Sequence, residues 1–246
     1  MDEIQRGESQ KTCDWKTESR KILVAGLDEA GRGAVLGPLV IAGVSIDMGK
    51  VHLLKSMGVK DSKLLSPKMR EKLAGKIEKA ADDIVVLKVG PCKIDNYRKQ
   101  GVNLNRLEAM KFAEIINFLE PDRAYIDAPD VNLGRLEGFL RKMVGGSVEL
   151  VVEHKADYRY PVVGAASIIA KVERDGEIGK LKKKYGEIGP GYTSNPVTMQ
   201  WLRNWLEENK DFPDGLVRKT WITSSVLKGE KEQKDLFSFF KRMVRS

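Results

Sequence analysis

Apolar and polar residues follow each other along the chain in blocks that predict three early strands and then alternating helices and strands. Short apolar runs predict strands at 21–27, 38–46, 83–90, 123–128 and 148–154. Longer stretches with apolar residues at helical spacing, or with a capping residue followed by Pro, predict helices at 66–81, 103–120, 133–144, 163–186 and 195–209. This order of elements predicts an α/β fold with a mixed central sheet flanked by helices.

The same pattern divides the chain into one domain with a segment at each end. The 246 residues are enough for a single full-sized domain with a small appendage. Residues 1–20 are polar without periodicity and predict a loose tail. We expect the core at 21–190 and a helical C-terminal extension of the same domain at 191–228. The charged stretch 228–234, "KGEKEQK", predicts a flexible linker, so that 229–246 would form a flexible tail.

Composition narrows the function classes. Lys and Arg number 43 against 35 Asp and Glu, a net charge of +8, which suggests an anionic partner such as nucleic acid. A basic protein with a merely solvated surface would have the same charge. Cys13 and Cys92 form no C-x-x-C pattern, so we expect neither a disulfide framework nor a zinc site, and a cytoplasmic location. The polar N-terminus is no signal peptide, and the apolar stretch 34–46 is too short to span a bilayer.

Acidic residues stand at or just beyond three predicted strands. Asp28 and Glu29 adjoin the first strand, Asp127 ends "AYID", and Asp157 follows "VVEHKAD". Sites in α/β sheets gather at strand ends, so these four carboxylates could meet. Packed carboxylates repel each other unless cations separate them, and oxygen ligands suit Mg²⁺ or Mn²⁺.

Two observations limit this hypothesis. Each acid taken alone fits an ordinary turn residue, since Asp is common in turns. Adjacent residues of a regular strand also point to opposite faces of the sheet. Asp28 and Glu29 can therefore share a site only if the strand bends or ends there, or if one ligates through its backbone. Gly31 and Gly33, which follow closely, would permit such a bend.

Six ordered motifs resemble type 2 ribonuclease H (ribonuclease HII), in the single-chain archaeal form. They are "DEAGRG" at 28–33, "DSK" at 61–63, "YIDA" at 125–128, "HKAD" at 154–157, "ASIIAKVERD" at 166–175 and "GPGY" at 189–192. The resemblance covers roughly residues 21 to 225. It implies a ribonuclease H-like fold and an endoribonuclease that cleaves RNA in RNA–DNA hybrids and incises duplex DNA 5′ of embedded ribonucleotides, in DNA replication and repair.

The resemblance also implies the catalytic chemistry. The metal-binding and catalytic carboxylates of the family correspond to Asp28, Glu29, Asp127 and Asp157. Two divalent ions, Mg²⁺ or Mn²⁺, would promote hydrolysis that leaves 3′-hydroxyl and 5′-phosphate ends. The ribose 2′-hydroxyl would then serve for recognition and not as the nucleophile.

The substrate-binding residues implied by the resemblance fall into two groups. The Gly31, Arg32 and Gly33 turn would sense the ribonucleotide, because glycines let the backbone approach the 2′-hydroxyl. The others are the sugar-packing Tyr192, the phosphate-facing Lys63, Lys171 and Arg174, and Ser167. The loop "GYTSNP" departs from the more usual "GYPSDP" and predicts a less rigid setting for the tyrosine. For Lys180, Lys182, Lys183 and Lys184, a solvated helix face is as good an interpretation as a duplex contact.

The C-terminal stretch "QKDLFSFF", residues 233–240, resembles the peptide that docks on the sliding clamp, PCNA. In a 3₁₀ turn, residues at i and i+3 lie on one face, so Leu236, Phe239 and Phe240 would form an apolar plug with Gln233 as a polar anchor. The alternative is a terminal amphipathic helix that packs on its own domain.

These observations lead to one interpretation and two alternatives. We expect a monomeric metal-dependent ribonuclease H that binds RNA–DNA hybrids or ribonucleotide-containing duplexes and the sliding clamp, and no membrane. One alternative is type 3 ribonuclease H, which usually lacks the G-R-G turn and has a substantial N-terminal domain. The other is a non-catalytic adaptor that is recruited to the clamp, which the loss of any of the four carboxylates would have favoured.

Overall fold

The computed structural model describes residues 20–59, 65–128 and 132–243, with residues 235–243 described through their backbone only. Its strands are β1 (Leu23–Ala30), β2 (Leu39–Asp47), β3 (Asp83–Val89), β4 (Arg123–Asp127) and β5 (Glu149–Glu153). Its α-helices are α1 (Val51–Ser56), α2 (Pro67–Ala80), α3 (Pro91–Lys99), α4 (Leu104–Leu119), α5 (Leu133–Met143), α6 (Ala156–Arg159), α7 (Pro161–Tyr185), α8 (Pro196–Glu208) and α9 (Ile222–Met243). A short 3₁₀ helix (Met48–Lys50) precedes α1.

The described strands form one mixed sheet with the order β3-β2-β1-β4-β5. β1, β2 and β3 pair antiparallel, while β1, β4 and β5 run parallel. The carboxyl ends of β1, β4 and β5 therefore meet at one edge of the sheet. The predicted mixed sheet flanked by helices is confirmed.

Helices cover both faces of the sheet because β1 alternates its side chains between two apolar clusters. Val24 packs with α1, α2 and α7, and Leu27 packs with α4 and α5. Gly26 permits the close approach of α7, since a Cβ at this position would lie 2.3 Å from the carbonyl carbon of Val162. The central strand is thus enclosed on both sides, and only its end opens to solvent.

The C-terminal helices pack as a third layer beside the end of β1. Leu36, Leu202, Leu206, Phe212 and Leu227 belong to one buried cluster there. Two isolated β-bridges, Ala34 with Tyr192 and Leu36 with Val217, fasten this layer to the loop between β1 and β2. The C-terminal part therefore contacts the segment that contains the Gly-Arg-Gly turn.

The predicted flexible linker at 228–234 is wrong, because helix α9 runs without a break through it. Apart from Gly229, this stretch consists of good helix formers. Its charges also have partners on α8: Arg203 pairs with Glu230, and Lys231 Nζ donates to the carbonyls of Leu206 and Asn209 that end that helix. The sequence pattern likewise missed α3. Among the described residues, no helix combines the length and apolar character that a bilayer crossing requires.

Candidate active site

Three aspartates meet at the edge formed by the carboxyl ends of the parallel strands. Asp28 lies near the end of β1, Asp127 is the last residue of β4, and Asp157 lies in the short helix α6 directly after β5. Each offers a carboxylate oxygen within 4.8 Å of the others. The Ala156 amide donates to Asp127 at 3.0 Å and so connects α6 to β4. The fold thus brings together acids from three separate segments.

Glu29 lies outside this cluster, because β1 does not bend where the sequence would have permitted it. Asp28 and Glu29 both belong to the regular β1–β2 ladder and point to opposite faces. Glu29 faces α4, where Glu108 and Arg32 lie close by. Its Oε2 atom is buried without a hydrogen-bond partner among the described residues. Burial, and then Asp28 and Glu108, raise the pKa of Glu29 well above its ordinary value.

Asp28 is held by two hydrogen bonds in a buried acidic setting. Its carboxylate accepts the Ser167 hydroxyl and, at 2.7 Å, the Glu29 amide. Burial nevertheless raises the pKa of Asp28 to about 7, and Asp127 and Asp157 contribute to the rise. A divalent cation would offset this repulsion, and the donors are oxygens of the kind that Mg²⁺ and Mn²⁺ prefer. The three aspartates, with the unsatisfied Glu29 oxygen nearby, therefore fit such a cation.

The raised pKa of Asp28 predicts that metal-free stability falls as pH rises. The folded protein holds the Asp28 proton up to about pH 7, whereas the unfolded chain releases it near its ordinary pKa of 3.8. Stability relative to Asp28→Asn should therefore decrease between about pH 4 and pH 7 and then level off. Urea unfolding of both proteins in EDTA measures the difference, and Mg²⁺ should restore wild-type stability at about pH 8. A pH-independent difference would contradict the assignment.

The Gly-Arg-Gly segment forms a β-turn directly after β1. The Ala34 amide donates to the Gly31 carbonyl at 3.3 Å, which closes the turn, and Gly31 has a φ of +85°. Arg32 is drawn to α4, where its Nε lies 3.0 Å from both oxygens of the fully buried Glu108 and its Nη2 bonds to Asn105. The Arg32 and Gly33 amides have no hydrogen-bond acceptor in the described ranges.

Arg174 does not contact solvent, and the expectation that it faces a phosphate stays a prediction. Its side chain is 0% exposed and donates to the carbonyls of Pro190 at 3.0 Å and Leu36 at 3.5 Å. Its guanidinium carbon lies 4.6 Å from the centre of the Tyr192 ring. Long cationic side chains usually reach solvent, but this one is enclosed by the C-terminal layer. The guanidinium of Arg174 therefore packs against one face of the Tyr192 ring.

Asp28, Asp127 and the turn line a cavity of about 430 Å³, and Glu29 lines it as well although it is not part of the three-aspartate cluster. Of the residues expected to bind substrate, the lining contains the turn, Ser167, Lys171 and Tyr192. It also contains Arg70 of α2, which the sequence reasoning missed. The Asp175 carboxylate accepts hydrogen bonds from both basic side chains, from Lys171 Nζ at 3.0 Å and from Arg70 Nη2 at 3.2 Å. A basic residue in the first turn of a helix interacts unfavourably with the helix dipole. This unusual position of Arg70 was the one feature of the sequence that could have indicated a functional role.

Three sets of predicted residues are not among the described residues that line the cavity. Lys63 lies outside the described residues. Gln233 is exposed on α9, and the side chains of Leu236, Phe239 and Phe240 lie outside the described part of the chain. Of the four lysines near the end of α7, Lys180 and Lys182 pair with Glu177 and Glu187, in keeping with a solvated helix face.

Comparisons with known proteins agree on one family. A family model described as Ribonuclease HII matches residues 25–224. Ribonuclease HII of Pyrococcus furiosus is 43% identical over 225 residues, which cover 89% of this chain and 99% of the relative. The crystal structure of ribonuclease H2 from Pyrococcus horikoshii has 45% identity and a TM-score of 0.80, covering 86% of this chain and 99% of that one. The structure of the PCNA:RNase HII complex from Archaeoglobus fulgidus has 45% identity and a TM-score of 0.76, covering 83% and 96%.

Proposed function

The chain belongs to the ribonuclease HII family and is a metal-dependent ribonuclease H, and we propose that it incises duplex DNA 5′ of embedded ribonucleotides as well as RNA in RNA–DNA hybrids. The observation that carries the proposal is the turn, which lines the same cavity as Asp28 and Asp127 and has two amides without an acceptor among the described residues. Amides there can read a 2′-hydroxyl while the acids serve the adjacent phosphate. The alternatives of type 3 ribonuclease H and of a non-catalytic adaptor are set aside by the family assignment.

The acidic residues, the basic residues and the turn would have different roles in the reaction. Asp28, Asp127 and Asp157 would hold the cations, with Glu29 at the border of the site. When bound, a pair of Mg²⁺ or Mn²⁺ ions supplies an activated water and offsets negative charge on the leaving oxygen, which gives 3′-hydroxyl and 5′-phosphate ends. Lys171 and Arg70, both fixed by Asp175, place positive charge beside the backbone of the substrate. The turn selects the nucleotide whose 5′ phosphate is cut.

A defined duplex tests this proposal. The substrate is duplex DNA with a single ribonucleotide, and the all-DNA duplex of the same sequence is its control. We expect cleavage of the first only, dependent on Mg²⁺ or Mn²⁺, with a 3′ end that a DNA polymerase can extend. Cleavage of both duplexes, or products with a 2′,3′-cyclic phosphate, would contradict the proposed recognition or the proposed chemistry.

Tyr192 is proposed to pack its ring on a sugar of the substrate. One side of the ring is covered by Arg174, and the residue also lines the cavity. Tyr192→Phe should therefore keep most of the cleavage rate, while Tyr192→Ala should lose about 10-fold or more, as expected when a stacking platform is removed. Initial rates on the single-ribonucleotide duplex give the comparison. Equal losses in the two variants would show that the hydroxyl, and not the ring, is needed.

We further propose that residues 233–240, "QKDLFSFF", dock on the sliding clamp, and the similarity of this chain to the RNase HII of the PCNA:RNase HII complex supports the proposal. Helix α9 is anchored on α8 up to Lys231, so a chain that ends after Lys234 keeps these contacts. The truncated protein should keep its melting temperature and its cleavage rate but lose clamp binding. Loss of melting temperature with clamp binding retained would favour the alternative of a helix packed on its own domain.

Point variants refine the same test. Phe239→Ala with Phe240→Ala should reproduce the loss of clamp affinity, because a docked peptide draws most of its affinity from a few buried anchors. Phe237→Ala is the matched control, since it removes an aromatic ring from a position that the docking pattern leaves open. Calorimetric titration of the clamp with each variant measures the effect. Equal affinities of the double variant and the control would refute the docking hypothesis.

A further inference from the structure

Arg218 lies behind the Gly31–Gly33 turn, completely buried and outside the lining of the cavity. It donates to three backbone carbonyls of the loop after β1: Gly31 at 2.7 Å, Arg32 at 2.9 Å and Gly37 at 3.1 Å. One side chain from the C-terminal layer thus donates hydrogen bonds to two consecutive peptide carbonyls of the turn.

These bonds fix the direction of the two amides that face the other way. In a trans peptide the carbonyl of one residue and the N–H of the next point in opposite directions. Because the Gly31 and Arg32 carbonyls point towards Arg218, the N–H groups of Arg32 and Gly33 point away from it. These are the two amides without an acceptor in the described segments.

The segment around Arg218 is itself held firmly. The Asp95 carboxylate of α3 accepts the amides of Lys219 at 2.8 Å and Thr220 at 3.0 Å. Ser224 donates to the Arg218 carbonyl at 2.9 Å, and the guanidinium carbon lies 4.9 Å from the centre of the Trp221 ring. The arginine therefore reaches the turn from a fixed base.

A buried arginine at this position lowers the stability of the folded protein, so a purely structural role does not explain its presence. Burial lowers the pKa of Arg218 to about 9, and in the described residues its hydrogen bonds go to carbonyls and not to a carboxylate. A buried charge without a bonded counter-ion opposes folding. A guanidinium has five N–H donors in a fixed planar fork, which suits three carbonyls at separate positions better than a compact ammonium does and gives this residue type a reason to be present.

We propose that Arg218 is a positioning residue for ribose selection: by holding the Gly31 and Arg32 carbonyls, it keeps the Arg32 and Gly33 amides aimed at the 2′-hydroxyl. The inference rests on the proposed function, because it assigns the selectivity of that same site. A deoxyribose lacks the 2′-oxygen at which these amides are aimed, so the preference for ribose depends on their orientation.

The experiment measures ribose preference separately from stability. Wild type, Arg218→Lys and Arg218→Met are compared for affinity in EDTA towards the single-ribonucleotide duplex and the all-DNA duplex. Arg218→Met should lose the preference by about 10-fold or more, the value of one or two hydrogen bonds between the neutral amides and the 2′-hydroxyl, and Arg218→Lys should lose less. The affinity for all-DNA duplex should stay within about twofold, because the phosphate contacts are unchanged.

Leu206→Ala is the control, because it weakens the same C-terminal layer without touching the turn. It should lower the melting temperature but keep the ribose preference. Asp95→Asn provides a second route if Arg218→Met does not fold, since it loosens the segment that carries Arg218 and should also reduce the preference.

The outcomes separate the inference from the proposed function. Wild-type ribose preference that persists in the Arg218 and Asp95 variants, or falls equally in Leu206→Ala, overturns the inference alone. A wild-type protein that neither prefers nor cleaves the ribonucleotide duplex overturns the proposed function, and the inference falls with it.

Discussion

Asp28→Asn is expected to abolish cleavage and to leave binding of the RNA–DNA hybrid nearly unchanged. Asp28 is a buried member of the three-aspartate cluster and lies on the central strand, and the neutral amide of the asparagine cannot help to neutralise a divalent cation. Loss of several kcal/mol of metal-dependent stabilisation corresponds to a rate loss of about 10³-fold or more. Hybrid affinity comes from basic groups on the surface, which this substitution does not touch.

Asp127→Asn should behave in the same way, and Asp122→Asn is the matched control. Both residues flank β4, but Asp122 precedes the strand and accepts the Leu23 amide at the opposite edge of the sheet. Rates and hybrid affinities at several Mg²⁺ and Mn²⁺ concentrations complete the comparison. If Asp28→Asn or Asp127→Asn cleaves at a near-normal rate at any of these concentrations, the metal assignment is wrong.

Gly31→Ala is expected to damage the fold, whereas Gly33→Ala should damage only the reaction. A Cβ at Gly31 would lie 2.1 Å from Arg174 Nε and 2.8 Å from the Pro38 carbonyl oxygen. The positive φ of Gly31 adds a conformational cost of about 1–3 kcal/mol for any other residue. At roughly 2–4 °C per kcal/mol for a chain of this size, the melting temperature should fall by several degrees.

Gly33 has none of these constraints. No atom lies within 4 Å of a Cβ built at this position, so Gly33→Ala should change the free energy of unfolding by no more than about 0.5 kcal/mol. Its Cβ would still occupy space beside the amide that approaches the ribose, and cleavage should fall by about 10-fold or more. Melting temperatures and initial rates of the two variants decide the matter. A stable Gly33→Ala with full activity would exclude close backbone contact at that residue.

The mixed sheet and the strand-end aspartates were predictable because both follow from local pattern. Apolar runs and capped helices place Asp28, Asp127 and Asp157 at or just beyond the ends of three strands, and parallel pairing brings those ends together. The position of Glu29 was not predictable. Whether β1 bends after Asp28 depends on its pairing with β2, which the sequence of β1 alone does not contain.

Residues that act through distant contacts were beyond sequence reasoning. Arg218 meets Gly31 across 187 positions, and no spacing rule connects them. Arg174 was expected to face a phosphate because it matches a basic position of the family, but the third layer encloses it. The stretch 228–234 was predicted to be a linker from its charge, yet those charges have partners on α8 that only the tertiary structure supplies.

The parallel pairing of β1 with β4 has a consequence for how the molecule folds. β1, β2 and β3 pair antiparallel in chain order, whereas Val24 of β1 meets Arg123 of β4 only after α1 to α4 have been traversed. Such non-local contacts carry a large loop-closure cost and tend to form late. We therefore expect the repulsion among the three aspartates to arise only as β4 and β5 add to the sheet. The electrostatic cost of bringing the three aspartates together would then arise at a stage when the apolar contacts among β1, β2 and β3, which help to offset it, have already formed.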